Sequence, residues 1–246
     1  MVLLSLEKVK KSFGEIHAID DVNLEIDKGL ISIIGPNGAG KTTLVNVISG
    51  TLFPDEGKIM FERREITKKP MTERVKMGIA RSYQLVQLFG NLTVYDNIRA
   101  CCILRKNLGM KLLSSVKKFK SVSEECEEIC ERFLLSDKKD MLARDLPHGD
   151  KKLLDVAIAY ALRPKILLLD EPTSGLSVYE RNRVMDIITS TVKKDGITTV
   201  IVEHDMDIVF NYSDRIIVMH EGKIIADGKP EEVEKLSLVK SLVMGG

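Results

Sequence analysis

The chain has 246 residues, and its 37 Lys plus Arg against 36 Asp plus Glu leave a formal net charge of +1. That balance excludes a global basic field, so nucleic acid is not an expected partner. The length suits one α/β domain with a lobe inserted into it. No stretch reaches the roughly 18 apolar residues of a membrane span, and the start MVLLSLEKVKKSF lacks a leader pattern, so a soluble cytosolic chain is expected.

In chain order, residues 3–26 alternate or run apolar, rich in Val and Ile, and break at Gly14. They read as two strands of a hairpin, the start of an N-terminal antiparallel β subdomain. LISIIG reads as a buried strand, residues 41–49 as a helix stopping at Gly50, and residues 57–62 and IARSYQ as further short strands. Between Asp96 and Glu124 stand seven basic residues (Arg99, Arg105, Lys106, Lys111, Lys117, Lys118 and Lys120) and no acid, followed directly by the acidic SEECEEICERFLL. Either two helices set opposite charges against each other or water, or the basic one lies beside a membrane. Cys101, Cys102, Cys126 and Cys130 fall in this region and read as buried reduced thiols, the alternative being a metal or redox site.

After Arg163 strands alternate with helices: KILLLDE, SVYERNRVMDIITSTVKK, TTVIVEH, MDIVFNYS, then the hairpin RIIVMHEGKIIADG. This order implies a mainly parallel sheet covered on both faces. Residues 85–162 read as a helical lobe inserted between residues 1–84 and 163–246, which form the α/β core.

The chemistry begins where LISIIG ends. Gly35, Pro36, Asn37, Gly38, Ala39, Gly40, Lys41, Thr42 and Thr43 contain G-x-x-x-x-G-K-[ST] (Walker A) between a strand and a helix. Glycines let successive backbone N–H groups turn toward phosphate oxygens, Lys41 can reach the outer phosphates, and Thr42 can ligate Mg²⁺. The strand ILLLDE ends in paired acids (Walker B), suiting Asp170 to the metal's water shell and Glu171 to orienting or deprotonating an attacking water. These residues specify binding of a nucleoside triphosphate, but several NTPase families share them.

The rest of the pattern resembles the nucleotide-binding subunit of an ATP-binding-cassette (ABC) transporter, from about residue 6 to residue 233. The resemblance adds Gln84 in RSYQ, LPHGD before a helix, SGLS after DEPT, and His204 in VEHD. It implies ATP and Mg²⁺ as ligands and Phe13 as the ring that stacks on adenine, a hairpin core Phe being the alternative. It assigns Gln84 to the Mg²⁺ shell and to the link with the helical lobe, and His204 to the γ-phosphate. It makes SGLS, residues 174–177, the loop that meets its counterpart across a dimer, with Ser177 where the family usually carries Asp or Asn.

The family's signature usually reads LSGGQ, facing the ATP of the opposite subunit; here Leu146, Pro147, His148, Gly149 and Asp150 stand in its place. Pro147 supplies neither hydroxyl nor N–H. Gly149 and a good helix former sequence remain, so amides at the helix start can still face an anion. Asp150 is expected to cap or complement that positive end while partly opposing phosphate, and His148 can supply a replacement donor. Either a weaker signature still closes over ATP, or it faces a poorly hydrolysing site and a different cassette supplies the good one.

Such a subunit implies separate membrane permeases, docked near Gln84 and LVQLFGNLTVYDNI, a second ABC ATPase subunit across the ATP sites, and a solute-binding protein outside the membrane. GIARSYQLVQLFGNLTVYDNI, the basic lobe and GITTVIVEHDMDIVF look most like the ATPases of branched-chain amino acid importers. An exporter of lipid or drug is the alternative, and a soluble cassette protein acting on nucleic acid or the ribosome a more distant one.

Overall fold

The computed structural model describes residues 2–82, 88–106 and 116–236, with side chains of its fourth helix described from Lys120 onward. Gln84 and residues 85–87, 107–115 and 237–246 lie outside the described residues, as do the side chains of Lys117 and Lys118. The chain opens with β1 (Leu4–Phe13) and β2 (Ile16–Ile26), the expected hairpin, paired antiparallel from Leu4↔Ile26 to Phe13↔Ile16. β3 (Leu30–Ile34) runs into the phosphate loop, and α1 (Lys41–Ser49) leaves it. β4 (Glu56–Phe61) and β5 (Arg64–Glu65) return to the first sheet, whose order is β2-β1-β4-β5.

Next come α2 (Met71–Met77) and β6 (Ile79–Arg81), then the helices α3 (Val94–Arg105), α4 (Val116–Arg132) and α5 (His148–Ala161). Strands and helices then alternate: β7 (Ile166–Asp170), α6 (Val178–Lys194), β8 (Thr198–Val202), α7 (Met206–Tyr212), β9 (Arg215–His220) and β10 (Lys223–Gly228), with α8 (Pro230–Val233) after them. The second sheet has the order β10-β9-β3-β8-β7-β6, parallel throughout except for the β9/β10 hairpin.

Every residue of β3, β7 and β8 is buried, which explains why these strands read as unbroken apolar runs rather than alternating ones. Leu44, Val45, Val47 and Ile48 of α1 pack on one face with Ile33, Leu168 and Val200, while Leu153, Leu154 and Ile188 cover the other with Leu167, Leu169 and Ile201. The parallel order then forces the ends of β3, β7 and β8 to one edge of the sheet, where ligands bind in folds of this kind.

In the helical region, Arg105 and Lys106 of α3 both meet Glu125 of α4, at 2.6 and 3.0 Å, and Arg99 pairs with Asp96 of its own helix. The described basic residues therefore set their charge against acids of their own chain. Cys102, Cys126 and Cys130 are buried free thiols between these helices, with Cys101 half-buried, and burial raises the Cys101 and Cys130 thiols to about 11. No helix among the described residues is long and apolar enough to cross a membrane.

α2, β5 and α8 were not read from the sequence, and α2 carries a residue that ties the phosphate-loop side together. Arg74 is fully buried and donates to the carbonyls of Val47 and Ile48 at the end of α1, of Ile66 and Thr67, and of Lys69, at 2.6–3.0 Å. A helix end leaves its last carbonyls without intrahelical donors, and one guanidinium supplies two of them here. Arg74→Met removes five hydrogen bonds, although Val47 and Ile66 keep backbone donors, and is expected to lower the unfolding free energy by about 3 kcal/mol or more, read as the midpoint shift in urea. A shift under about 1 kcal/mol would show that water replaces the guanidinium without cost.

Candidate active site

Three loops meet at the shared sheet edge. The first, residues 35–40, joins β3 to α1, and its Gly35 and Gly40 are required by contact as well as by conformation. Gly40 has φ 98°, and a Cβ there would stand 2.2 Å from the Ala18 carbonyl oxygen of β2. Gly35 has φ 149°, and its Cβ would meet the Met219 carbonyl oxygen of β9 at 2.1 Å. The loop is thus wedged between β2 and β9, and α1 starts with no side-chain cap, so its first amides remain directed at the loop's concave side.

Lys41 is buried and its Nζ donates to the Gly35 and Pro36 carbonyls at 2.7 and 2.9 Å. Burial lowers its pKa, and the charges of Glu171 and Asp170 act in the opposite direction. Those two carboxylates therefore stand close enough to act on the lysine. Thr42 is exposed at the start of α1, and Thr43 is half-buried.

The second loop follows β7. Asp170, the last strand residue, is buried; its Oδ2 accepts from Arg81 Nη2 of β6 at 2.7 Å, and Arg81 also donates to Asn46 of α1. Asp170 Oδ1 is buried with no hydrogen-bond partner among the described residues. An orphaned carboxylate oxygen at this depth is a hard donor of the kind Mg²⁺ takes, and Thr42 offers a second oxygen type at the start of α1.

Glu171 turns away from its neighbour. Its backbone is left-handed, φ 51°, a conformation that costs about 1–2 kcal/mol for a residue with a Cβ. The turn aims the carboxylate at the third loop, where His204 Nε2 donates to Glu171 Oε1 at 2.9 Å. His204 follows β8 and Glu203, so the acid and the histidine come from adjacent strand ends.

Two residues that the sequence reading passed over hold this loop. Buried Glu203 accepts from Thr173 N and Oγ1 at 3.1 and 2.6 Å and from His204 N at 3.2 Å; burial raises its pKa while the bonds from Thr173 oppose the rise. Lys152 of α5 donates to the Glu171 carbonyl at 3.2 Å and to Ser174 Oγ at 3.0 Å. Glu203 is visible in VEHD only as one more acid, and Lys152 as one helix former among several. Ser177 caps α6 in a capping box with Glu180, a task that serine performs as well as the Asp or Asn of the family.

Phe13 lies at the tip of the first hairpin, 49% exposed, with Lys11 Nζ 5.7 Å from its ring centroid. It is not a hairpin core residue. Because β2 touches the phosphate loop through Ala18, this tip stands beside the loop.

In the signature, Leu146 is buried and Pro147 is the residue before α5, at φ −55° and ψ 155°. The N–H that proline lacks is therefore not one of the helix's first donors, which belong to His148, Gly149 and Asp150. The missing serine hydroxyl is the loss that remains.

Of the two roles expected of Asp150, capping is corrected, while its place as the acid in the first turn of α5 stands. It does not cap α5, which has no side-chain cap. Its carboxylate is 2% exposed and lies between Lys138 at 2.8 Å and Arg183 of α6 at 3.1 Å. Both cations offset its charge beside the helix start. His148 packs on the loop after β7, its Cε1 2.9 Å from where a Gly175 Cβ would stand.

A family model described as "ABC transporter" matches residues 19–174. The chain belongs to the ABC transporter family. It is 36% identical to a probable branched-chain amino acid transport ATP-binding protein LivG of Archaeoglobus fulgidus, over 100% of this chain and 96% of that one. It is 38% identical to a LivG of Methanocaldococcus jannaschii, over 94% and 91%, and 32% identical to the lipopolysaccharide export ATP-binding protein LptB of Haemophilus influenzae, over 100% and 98%. The ADP conformation of an ABC transporter cassette superposes with a TM-score of 0.86 at 35% identity over the whole of both chains. A dimeric cassette bound to ADP and Pi gives 0.77 at 26% identity, over 93% of this chain and 99% of that one. The protein is an ABC ATPase subunit, an ATP-hydrolysing cassette with the P-loop fold read from its sequence.

Asp150→Asn removes the anion between Lys138 and Arg183 and is expected to lower the unfolding free energy by about 2–4 kcal/mol, measured by chemical denaturation, without tightening nucleotide binding. Tighter ATP binding with stability intact would restore Asp150 as a charge opposing phosphate.

Proposed function

We propose that this ATPase drives import of branched-chain, hydrophobic amino acids, working on the cytoplasmic face of the membrane with permease subunits, a second cassette and a solute-binding protein outside the cell. The observation that carries the ATPase chemistry is the meeting of residues 35–43, the Asp170–Glu171 pair and His204 at one sheet edge, with His204 and Glu171 2.9 Å apart. For the solute, support comes from the LivG relatives. The LptB relative at 32% identity favours a second reading, an exporter engine.

In this reading the chain is one cassette, with residues 1–84 and 163–246 as nucleotide core and residues 85–162 as helical lobe. Phe13 stacks on adenine, and the amides of residues 35–43 hold the phosphates. Lys41, already at the loop, exchanges its two carbonyl partners for phosphate oxygens, a trade of neutral for charged acceptors that favours the bound state. Thr42, Asp170 and Gln84 hold Mg²⁺, which when bound offsets charge on the phosphates. Glu171 directs the attacking water, and His204 orients the Glu171 carboxylate and faces the γ-phosphate. Leu146, Pro147, His148, Gly149 and Asp150 begin the helix that faces the ATP of the second cassette. With the Asp150 charge balanced, a signature that lost one hydroxyl still presents its helix amides, which favours closure over ATP.

The test is the purified transporter in proteoliposomes, assayed for phosphate release and uptake of labelled leucine, isoleucine and valine. Wild type is expected to couple the two, while Glu171→Gln keeps ATP binding and loses turnover by about 100-fold or more. Near-normal turnover in Glu171→Gln would remove the assigned role, and ATP turnover with no uptake but outward lipid movement would select the exporter.

A further inference from the structure

α5 touches the loop after β7 at two places one turn apart on a single face. His148 rests on Gly175, and Lys152, four residues later, donates to the Glu171 carbonyl and to Ser174 Oγ. Lys152 is 4% exposed. An ammonium loses much hydration when buried so deeply, so a side chain placed there has to be met by polar partners. A third link, Asp150 to Arg183, fixes the same end of α5 to α6, which that loop leads into.

The loop needs such support. Glu171 holds a left-handed backbone against its intrinsic preference, and that conformation decides where its carboxylate points. On one side its N–H donates to the Val202 carbonyl at 2.9 Å, anchoring it to β8. On the other side its carbonyl accepts from Lys152. One residue is gripped between the strand that leads to His204 and the helix that begins at the signature.

We propose that Lys152 is the positioning residue through which the signature helix sets the conformation of Glu171 in its own chain. The inference rests on the reading of Glu171 as the residue that directs water. A signature that moves onto the ATP of the opposite cassette carries Lys152 with it as part of a rigid helix, so the state of one ATP site reaches the Glu171 carbonyl of the other. Lys152 acts through the Glu171 carbonyl, so its effect falls on turnover rather than on binding.

The test uses the assembled transporter carrying Lys152→Met, Lys152→Arg or Glu171→Gln, with steady-state ATPase and equilibrium binding of a fluorescent ATP analogue measured for each. Lys152→Met is expected to lower kcat by about 10-fold to 100-fold with nucleotide Kd within about twofold of wild type, and Lys152→Arg, which keeps a buried donor, to recover most of the loss. Turnover within about twofold of wild type in Lys152→Met overturns the proposal, as does a loss shared equally by kcat and affinity. If Lys152→Met does not fold, Ser174→Ala decides: it removes one acceptor of Lys152 and leaves α5 intact, and an unchanged kcat then overturns the proposal. A slow Glu171→Gln beside an active Lys152→Met sinks this inference alone, whereas an active Glu171→Gln sinks the underlying assignment.

Discussion

The active site depends on what happens to the chain at the end of β7. Two adjacent acids are held differently: Asp170 stays in strand geometry and is held by Arg81, while Glu171 turns left-handed to meet His204. A strand alternates its side chains, but the turn at Glu171 does more, because it lifts the second carboxylate out of the sheet edge. Its conformational cost is offset by bonds from three directions, from Val202, Lys152 and the Glu203–Thr173 clamp. Remove the clamps, and the same sequence gives two acids without a division of labour.

The surrounding architecture serves that point. Because β8 lies between β3 and β7, the phosphate loop and the acids flank the strand that ends at Glu203 and His204. Because α5 packs against the loop after β7, the helix that starts at the signature and the loop that carries Glu171 are in contact within one chain. Buried charge recurs at these joints. Arg74, Asp150, Lys152 and Glu203 are each buried with several bonds, and such groups serve geometry, since hydrophobic packing would supply stability without direction.

Much of this was legible in the sequence where a residue type has one physical use. The phosphate loop could be read because glycines at that spacing, between an apolar strand and a helix, have few other reasons to be there, and the contacts at Gly35 and Gly40 show why no other residue fits. The order of strands after Arg163 was legible from apolar runs alone. Asp150 does lie in the first turn of α5, but it was misread as a cap because its hydrogen-bond partners, Lys138 and Arg183, are 12 and 33 residues away. Lys152, Glu203 and Arg74 were missed for the same reason: nothing local distinguishes a buried charged residue with distant partners from a solvated one. α2 was missed because its seven residues include one that is buried, so it shows no apolar period.

The central claim is that residues 35–43, the acids after β7 and His204 form a single ATP site whose γ-phosphate end is the Glu171–His204 pair. Hydrogen exchange of the intact chain with and without a slowly hydrolysed ATP analogue tests it most directly. Amides of the phosphate loop and of the loop after β7 should gain protection together, with one nucleotide bound per chain. Protection confined to the phosphate loop, leaving the Glu171 loop and His204 unchanged, would contradict it.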